Sequence, residues 1–323
     1  MKRNNPVLSI VIPTYNRLKY LNELLDNLLT EITTLEDKAS LEIIVSDNAS
    51  TDNVLAVIEE FREKGLAVQY SRNDVNIGMD GNFHKCLNLA KGDYFWMFGD
   101  DDLIVEGSIK KIIHLLISGE NINIISLGCK PKVNNDKTES AMQYKLSIKE
   151  VSEVEFIASV GVMISFISSI IIKNNKESLG NDLVKFYGTH LIQLFWILKT
   201  IRSGTGLVII EDKLVRAAID NTGGYKLFTV FSESFVKLID YYYSRDEIES
   251  ILIRKKLINF LLYYVSLPKK QDGFQKENYI PICDEAFGGI TTYKYLLRYF
   301  FKYPLLAKGG IMIKLVLNKV LKS

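Results

Sequence analysis

The chain has 323 residues, 47% of them hydrophobic and 24% charged, enough apolar material for one large domain or two ordinary ones and unlike a disordered or fibrous protein. The net charge of +2 argues against a nucleic-acid partner, yet it is unevenly spread: Tyr293 to Ser323 carries seven basic residues and no acid, leaving 33 basic against 38 acidic residues elsewhere. Cys86, Cys129 and Cys283 lie far apart with no C-x-x-C pair, and read as reduced, mostly buried thiols of a cytosolic protein.

The basic start "MKRNNPVLSIVIPTYNR" meets a strand-length apolar run ended by Pro13 and shows no cleavage-site pattern, so it does not read as a signal peptide. Val7–Ile12 is expected to be a buried strand, and the next segment places Leu18, Leu21, Leu25, Leu28 and Leu29 at helical spacing. Leu41–Val45 is a second strand, followed by the turn and cap residues "DNASTD" and a helix that stops at Gly65. Leu66–Tyr70 is a third strand, "NDVNIGMDGN" a loop opening a helix over Phe83–Ala90, and Tyr94–Phe98 a fourth strand that runs into Asp100, Asp101 and Asp102. After a strand at Ile124–Leu127, the polar stretch "KPKVNNDKTES" is expected to flank or cross a crevice, as a lid would.

The uncharged run Phe156–Ile172 is short for a membrane span and broken by Gly161 and four serines, so a core helix followed by a buried strand is expected. A helix over "GTHLIQLFWILKTI" and two short strands, Leu207–Ile210 and Lys213–Ala218, come next, with Glu211–Asp212 as a surface turn. From Leu227 the pattern is helical. Alternating strands and helices predict an α/β fold with a mostly parallel sheet, over residues 1–220, and a helical C-terminal region over 221–323. Ligands bind such sheets at the carboxyl ends of the strands, where Asp47, Asn76, Gly78 and the three aspartates collect.

Three neighbouring carboxylates repel one another, and a divalent cation relieves that repulsion because Mg²⁺ and Mn²⁺ favour carboxylate oxygens and keep positions open for substrate phosphates. The competing reading is that the acids cap a helix beginning near Val105. No G-x-x-x-x-G-K-[ST] loop and no G-x-G-x-x-G follows the first strand, which argues against nucleoside triphosphatases and nicotinamide enzymes. His84, His114 and His190 form no zinc pattern.

In this order and at these separations, "VLSIVIPTYNR", "IIVSDNASTDN", "NIGMDGNF" and "GDYFWMFGDDDLI" resemble the nucleotide-sugar half of family 2 glycosyltransferases of GT-A fold. "FISSIIIKN" and "YGTHL" extend the likeness to abequosyltransferase-like enzymes of bacterial surface-polysaccharide assembly, over roughly residues 6–220. The resemblance implies that Pro13, Tyr15 and Arg17 edge the nucleotide pocket, that Asp47 bonds the base or ribose, and that Asn76, Gly78 and Asn82 line the donor side. It also implies a D-x-D-type metal element. Gly99 stands where the family's first acid often falls, so the pair is either Asp101 with Asp102 or Asp100 with Asp102; Asp102 is the direct ligand in both registers, with Asp100 and Asp101 sharing ribose and metal contacts.

The family implies inversion at the anomeric carbon, a Mn²⁺ or Mg²⁺ cofactor, a nucleotide-sugar donor and a glycan acceptor on a polyprenyl-diphosphate carrier, at the inner face of the cytoplasmic membrane. Its usual base, an acid in an E-D pair at a helix start, has no counterpart between Ser165 and Ser203; His190 and Asp182 are the candidates. Lys294, Arg298 and Lys302 recur every four residues beside Tyr295, Tyr299, Phe300, Phe301 and Tyr303, so 293–323 is expected either to lie on an anionic bilayer or to pack on the protein with solvated lysines. Two other functions fit parts of the pattern: a non-catalytic nucleotide- or glycan-binding scaffold, and a metal-dependent phosphatase.

Overall fold

Four apolar runs become parallel strands: β1 (Leu8–Thr14), β2 (Leu41–Asp47), β3 (Val68–Arg72) and β4 (Tyr94–Met97). This is a computed structural model, and it describes residues 5–119, 121–133, 145–218, 224–267 and 273–304. β1 pairs with β2 and β4, and β2 with β3, all in parallel. Central parallel strands are covered on both faces, which is why β1 and β4 are almost continuously apolar and buried.

The helices between the strands supply that cover. In α1 (Leu18–Thr33), Leu21, Leu24, Leu25 and Leu28 are fully buried, and α2 (Val54–Glu63) adds Ile58 and Phe61. Each such side chain removed from water contributes roughly 1.5–3 kcal/mol. α3 (Gly78–Leu89) starts five residues before the expected Phe83, because Asn76 Oδ1 accepts the Gly78 amide at 2.9 Å and turns the chain into the helix early.

Beyond β4 the sheet becomes mixed. β5 (Leu103–Ile104) follows the aspartates, then α4 (Ser108–Ser118), β6 (Ile124–Pro131), β7 (Ile148–Val151), α5 (Glu153–Val160), β8 (Ile170–Lys173), α6 (Gln193–Arg202) and β9 (Leu207–Ala217). Among the described residues the strand order is β3-β2-β1-β4-β8-β6-β9-β5, with β7 against β9. β8 runs antiparallel to β4 and β6, whereas β6 and β9 are parallel.

Three expectations are corrected here. The two short strands are one, β9, and Glu211–Asp212 is a bulge inside it: Ile210 pairs with Leu127 and Lys213 with the next residue, Gly128. Gly128 permits this, since a Cβ there would meet the Glu211 and Asp212 carbonyl oxygens at 2.5 Å. α6 begins at Gln193 rather than Gly188, because Gly188 (φ +85°) and His190 (φ +59°) are left-handed and cannot continue a helix. Phe156–Ile172 divides into the end of α5, 3₁₀ turns over Gly161–Ser165 and Ile167–Ser169, and β8. No helix among the described residues is long and apolar enough to cross a membrane.

The chain groups into two compact units: Met1–Phe156 with Met163–Gly188 and Ile192–Ile219, and Ile157–Val162 with Thr189–Leu191 and Asp220–Ser323. The second is helical, with a π-helical turn Thr229–Ser234 leading into α7 (Phe235–Tyr242), then α8 (Ile248–Ser266), α9 (Tyr279–Phe287), a π-helical turn Tyr293–Leu297 and α10 (Arg298–Lys302). Its aromatic interior includes Phe235, Phe287, Tyr293 and Phe301. Arg298 makes a two-pronged ion pair with Asp284 at 2.7 Å, which takes it out of the basic face expected for the tail. Tyr295, Tyr299 and Tyr303 remain exposed. Residues 134–140 of the expected lid and 305–323 of the basic tail lie outside the described residues.

Candidate active site

Register alone sets three polar side chains in a row. Thr14 at the end of β1 is opposite Asp47 at the end of β2, which is opposite Arg72 at the end of β3. Beyond β4 the chain continues past Thr14, held by the Phe98 amide on the Val11 carbonyl, and delivers Asp100, Asp101 and Asp102 to the same edge. All three are at most 7% exposed.

Each carboxylate has its own partners. Asp100 accepts from Thr14 Oγ1 at 2.8 Å and from Arg17 Nε at 2.8 Å, and Asp101 accepts from Arg17 Nη2 at 2.5 Å. Asp102 accepts from Ser168 Oγ at 2.5 Å and from the Ala218 amide at 2.8 Å. One guanidinium thus pairs with two of the three acids, Asp100 and Asp101. Burial pushes the Asp100 and Asp102 carboxyls up to about 6, against the opposing pull of Arg17 on the first and Ser168 on the second.

The capping alternative fails. The first amides of α4, Gly107 and Ile109, are taken by Glu31 at 2.7 and 3.1 Å. The three acids therefore do not serve that helix: their partners are Arg17, Thr14, Ser168 and the Ala218 amide.

A divalent cation fits this donor set. Among the described residues no group of three or more His, Cys, Asp or Glu is arranged as an all-protein cage. Mg²⁺ and Mn²⁺ need none, because one or two carboxylates and substrate phosphates suffice. An ideal Cβ on Gly99 would meet Asp102 Oδ2 at 3.0 Å, Asp101 Oδ1 at 3.2 Å and Ser168 Oγ at 3.3 Å, so the glycine leaves an open cradle beside two carboxylate oxygens. A side chain at position 99 would press on those two oxygens and on the Ser168 hydroxyl.

Asp47 is fully buried and saturated. Its oxygens accept from the Ser50 amide at 2.8 Å, from Tyr70 Oη at 2.7 Å and from Arg72 Nη1 at 2.8 Å. Burial pushes its carboxyl upward, but the hydrogen bonds from Ser50, Tyr70 and Arg72 outweigh this and hold it below the ordinary aspartate value.

An asparagine web ties the remaining loops together. Asn48 donates to Asn76 Oδ1 at 2.9 Å and to the Gly78 carbonyl at 3.2 Å, and its Oδ1 accepts from Asn73 Nδ2 and the Ile77 amide. Asn82, 3% exposed, bonds both the Ser46 carbonyl and hydroxyl. Asn16 (φ +52°) links β1's loop to β2's by accepting from the Thr51 amide at 2.7 Å. Pro13 is half-buried in β1, Tyr15 is 42% exposed, and Arg17 stacks over the Tyr20 ring at 4.7 Å.

The structure thus joins Arg17 directly to Asp100 and Asp101, and Asn76 and Gly78 to the loop after Asp47. Asp182 lies in the 3₁₀ segment Asn181–Phe186 and pairs with Lys185 at 2.7 Å. His190 belongs to the second unit, where its ring stacks on Tyr225 at 6.0 Å. Sequence reasoning overlooked Thr14, Asn48, Tyr70, Arg72, Asn73 and Ser168. Register could have exposed Thr14 and Arg72, since both end strands beside Asp47; Ser168 is 66 residues from Asp102 and gives no local signal.

Residues 9–169 match the family model Glycosyl transferase family 2. Among curated proteins the chain is 28% identical to Abequosyltransferase RfbV of Salmonella typhimurium, over 79% of this chain and 80% of that protein. It is 24% identical to the GalNAc(5)-diNAcBac-PP-undecaprenol beta-1,3-glucosyltransferase of Campylobacter jejuni, over 61% of this chain and 64% of that protein. Among solved structures, S. aureus TarS 1-349 in complex with UDP-GlcNAc superposes with a TM-score of 0.60 at 18% identity, covering 93% of this chain and 88% of that one. A mannosyltransferase from Pyrobaculum calidifontis in complex with GDP-Man and Mn²⁺ gives 0.50 at 14% identity, covering 98% and 88%. These structural likenesses show the fold, a GT-A-like sheet flanked by helices. The domain match and the curated relatives show the family: the chain belongs to glycosyltransferase family 2.

Proposed function

We propose that this glycosyltransferase moves a sugar, with inversion, from a nucleotide donor to a bacterial surface glycan carried on polyprenyl diphosphate. The observation that carries this reading is the pair of carboxylate oxygens, Asp101 Oδ1 and Asp102 Oδ2, beside the cradle left by Gly99, at the strand edge that also bears Thr14, Arg17 and Asp47. The lipid-linked acceptor is supported by the undecaprenol-linked substrate in the name of the Campylobacter relative, and the surface glycan by the abequosyltransferase.

In this reading Asp47 and Arg72 define the nucleotide end of the site, with Pro13 and Tyr15 at its edge and Asn76 and Gly78 on its donor side. Asp101 and Asp102 would hold Mn²⁺ or Mg²⁺, which when bound offsets the charge of the leaving diphosphate. Asp100 and Arg17 fix the edge against which the donor's ribose and phosphates lie. His190 accepts the proton of the attacking hydroxyl, with Asp182 as the alternative base; general-base catalysis of this kind contributes about 10²–10⁴ in rate. Residues 1–220 form the catalytic part, and 221–323 meet acceptor or membrane, with Tyr295 and Tyr299 exposed beside Lys294 and Lys302.

Calorimetry with a panel of nucleotides and nucleotide sugars, with Mn²⁺ or Mg²⁺ and again with chelator, tests the reading. Cation-dependent binding of one nucleoside diphosphate class supports it and names the donor's base. Absence of binding under both conditions would overturn it, and tight donor binding without transfer to any acceptor would mark a scaffold.

A further inference from the structure

The turn that carries His190 is bracketed by two amides that end on one carboxylate. Asp80, in the first turn of α3 and 5% exposed, accepts from the Gly188 amide at 2.8 Å through Oδ2 and from the Ile192 amide at 3.3 Å through Oδ1. One turn further along α3, His84 Nδ1 meets Tyr187 Oη at 2.6 Å. α3 therefore grips the chain immediately before and after Thr189–Leu191.

That grip falls on a left-handed stretch. Gly188 lies at φ +85°, which glycine adopts without cost, and His190 at φ +59°, a conformation uncommon for a residue with a side chain though histidine enters it more readily than most. Thr189 Oγ1, accepting the Leu191 amide at 3.2 Å, is the turn's internal bond; the Asp80 carboxylate anchors both its ends. The same helix begins at Gly78, whose carbonyl accepts Asn48 in the donor-side loop.

We infer that Asp80 is a positioning residue: it clamps the chain at Gly188 and Ile192, on either side of Thr189–Leu191, so that His190 is held in its left-handed conformation. The kinetic consequence rests on the reading of His190 as the base; the clamp itself does not. Asp80 touches neither donor nor acceptor in this account. Its loss leaves donor affinity in place and lowers the turnover of bound donor.

The test uses the full chain with Asp80→Ala, Asp80→Asn, His190→Ala and the Asp80→Ala/His190→Ala double variant. Donor affinity by calorimetry is expected to stay within about twofold in Asp80→Ala while kcat falls roughly 10- to 100-fold, the scale of a misplaced reacting group. Asp80→Asn, which keeps one acceptor oxygen, recovers part of the loss. In the double variant Asp80→Ala adds nothing to His190→Ala, because residues acting as a unit are not additive.

Wild-type kcat in Asp80→Ala overturns the proposal, as does a full additional loss in the double variant. If His190→Ala itself turns over normally, the base assignment fails, and amide hydrogen exchange then judges the clamp alone. Faster exchange at Gly188 and Ile192 in Asp80→Asn and Asp80→Ala supports it; unchanged protection at both amides overturns it. Should Asp80→Ala not fold, Asp80→Asn carries both measurements.

Discussion

Ser168 donates its hydroxyl to Asp102 at 2.5 Å while accepting the Gly99 amide on the same oxygen at 2.9 Å. Its carbonyl also receives the Trp96 indole N–H at 2.9 Å. A fully buried serine just before β8 therefore fixes the acidic loop at both of its ends. Ser168→Ala removes a charge-assisted bond and leaves the Gly99 amide unpaired, a loss of about 2 kcal/mol by urea melts. With Asp102 no longer held, cation-dependent donor binding weakens as well. An unchanged cation titration alongside reduced stability would confine Ser168 to a structural part.

Gly99→Ala tests the cradle. The new Cβ would sit 3.0 Å from Asp102 Oδ2, 3.2 Å from Asp101 Oδ1 and 3.3 Å from Ser168 Oγ, closer than such atoms tolerate without moving. Overpacking of this kind costs ~1–3 kcal/mol. Mn²⁺-dependent stabilisation in thermal melts should shrink or vanish, while far-UV circular dichroism stays native. Undiminished Mn²⁺ dependence would place the cation elsewhere.

Arg72→Ala addresses Asp47. The guanidinium is half exposed, whereas the carboxylate it pairs with is fully buried, so truncation leaves a buried charge with Tyr70 and Ser50 as its remaining supports. A drop in the urea midpoint is expected, moderated by the exposure of the guanidinium, which water and salt screen. Donor affinity should fall in parallel, and Arg72→Lys should restore much of it, because one nitrogen, Nη1, makes both the Asp47 bond and the bond to the Ser50 carbonyl.

Glu31 gives a pH signature away from the acidic loop. Burial pushes its carboxyl up to about 7, against the lowering effect of the Ile109 and Gly107 amides. A carboxyl with a raised folded-state value binds its proton more tightly in the folded chain. Stability from this group is therefore present at low pH and declines as pH rises from the ordinary glutamate value through about 7. The full effect is at most ~3 kcal/mol. Glu31→Gln should flatten this part of the profile in melts between pH 5 and pH 8; an unchanged slope would assign the pH dependence to other groups.

Lys294 and Lys302 lie beside the exposed rings of Tyr295 and Tyr303. Reversing both with Lys294→Glu and Lys302→Glu should weaken binding to vesicles of anionic phospholipid by roughly tenfold or more, on about 1 kcal/mol per basic residue. Truncation at 293 is a poorer test than the sequence suggests, because Tyr293 and Phe301 are fully buried. Equal binding of both proteins would remove the membrane role from these residues.

The parallel half of the sheet was legible because periodicity and strand length are local properties: β1 to β4 appear within a few residues of where the apolar runs place them. What escaped depends on distant partners. β5 has two residues and exists because β9 offers Val215 and Arg216 as an edge. β7 is mostly exposed, so its apolar pattern is faint. The three aspartates stood out, but their nearest compensations come from Arg17, Thr14, Ser168 and the Ala218 amide, contributed by segments up to 116 residues away. The left-handed residues at Gly188 and His190 likewise reflect what Asp80 does from another helix, and no helix propensity at "YGTHL" would announce them.

The asparagine web and the acidic edge respond to different solvents. Asn48, Asn73, Asn76 and Asn82 join the loops by neutral amide bonds, several of them buried, whereas Arg17 holds Asp100 and Asp101 by charge and is itself a third exposed. Added electrolyte reaches only the exposed third of the Arg17 side chain, since both carboxylates are nearly buried, and it leaves the neutral amide bonds untouched. The acidic edge should therefore show a shallow salt dependence and the asparagine web none, so the two halves of the site are told apart by slope in a salt titration.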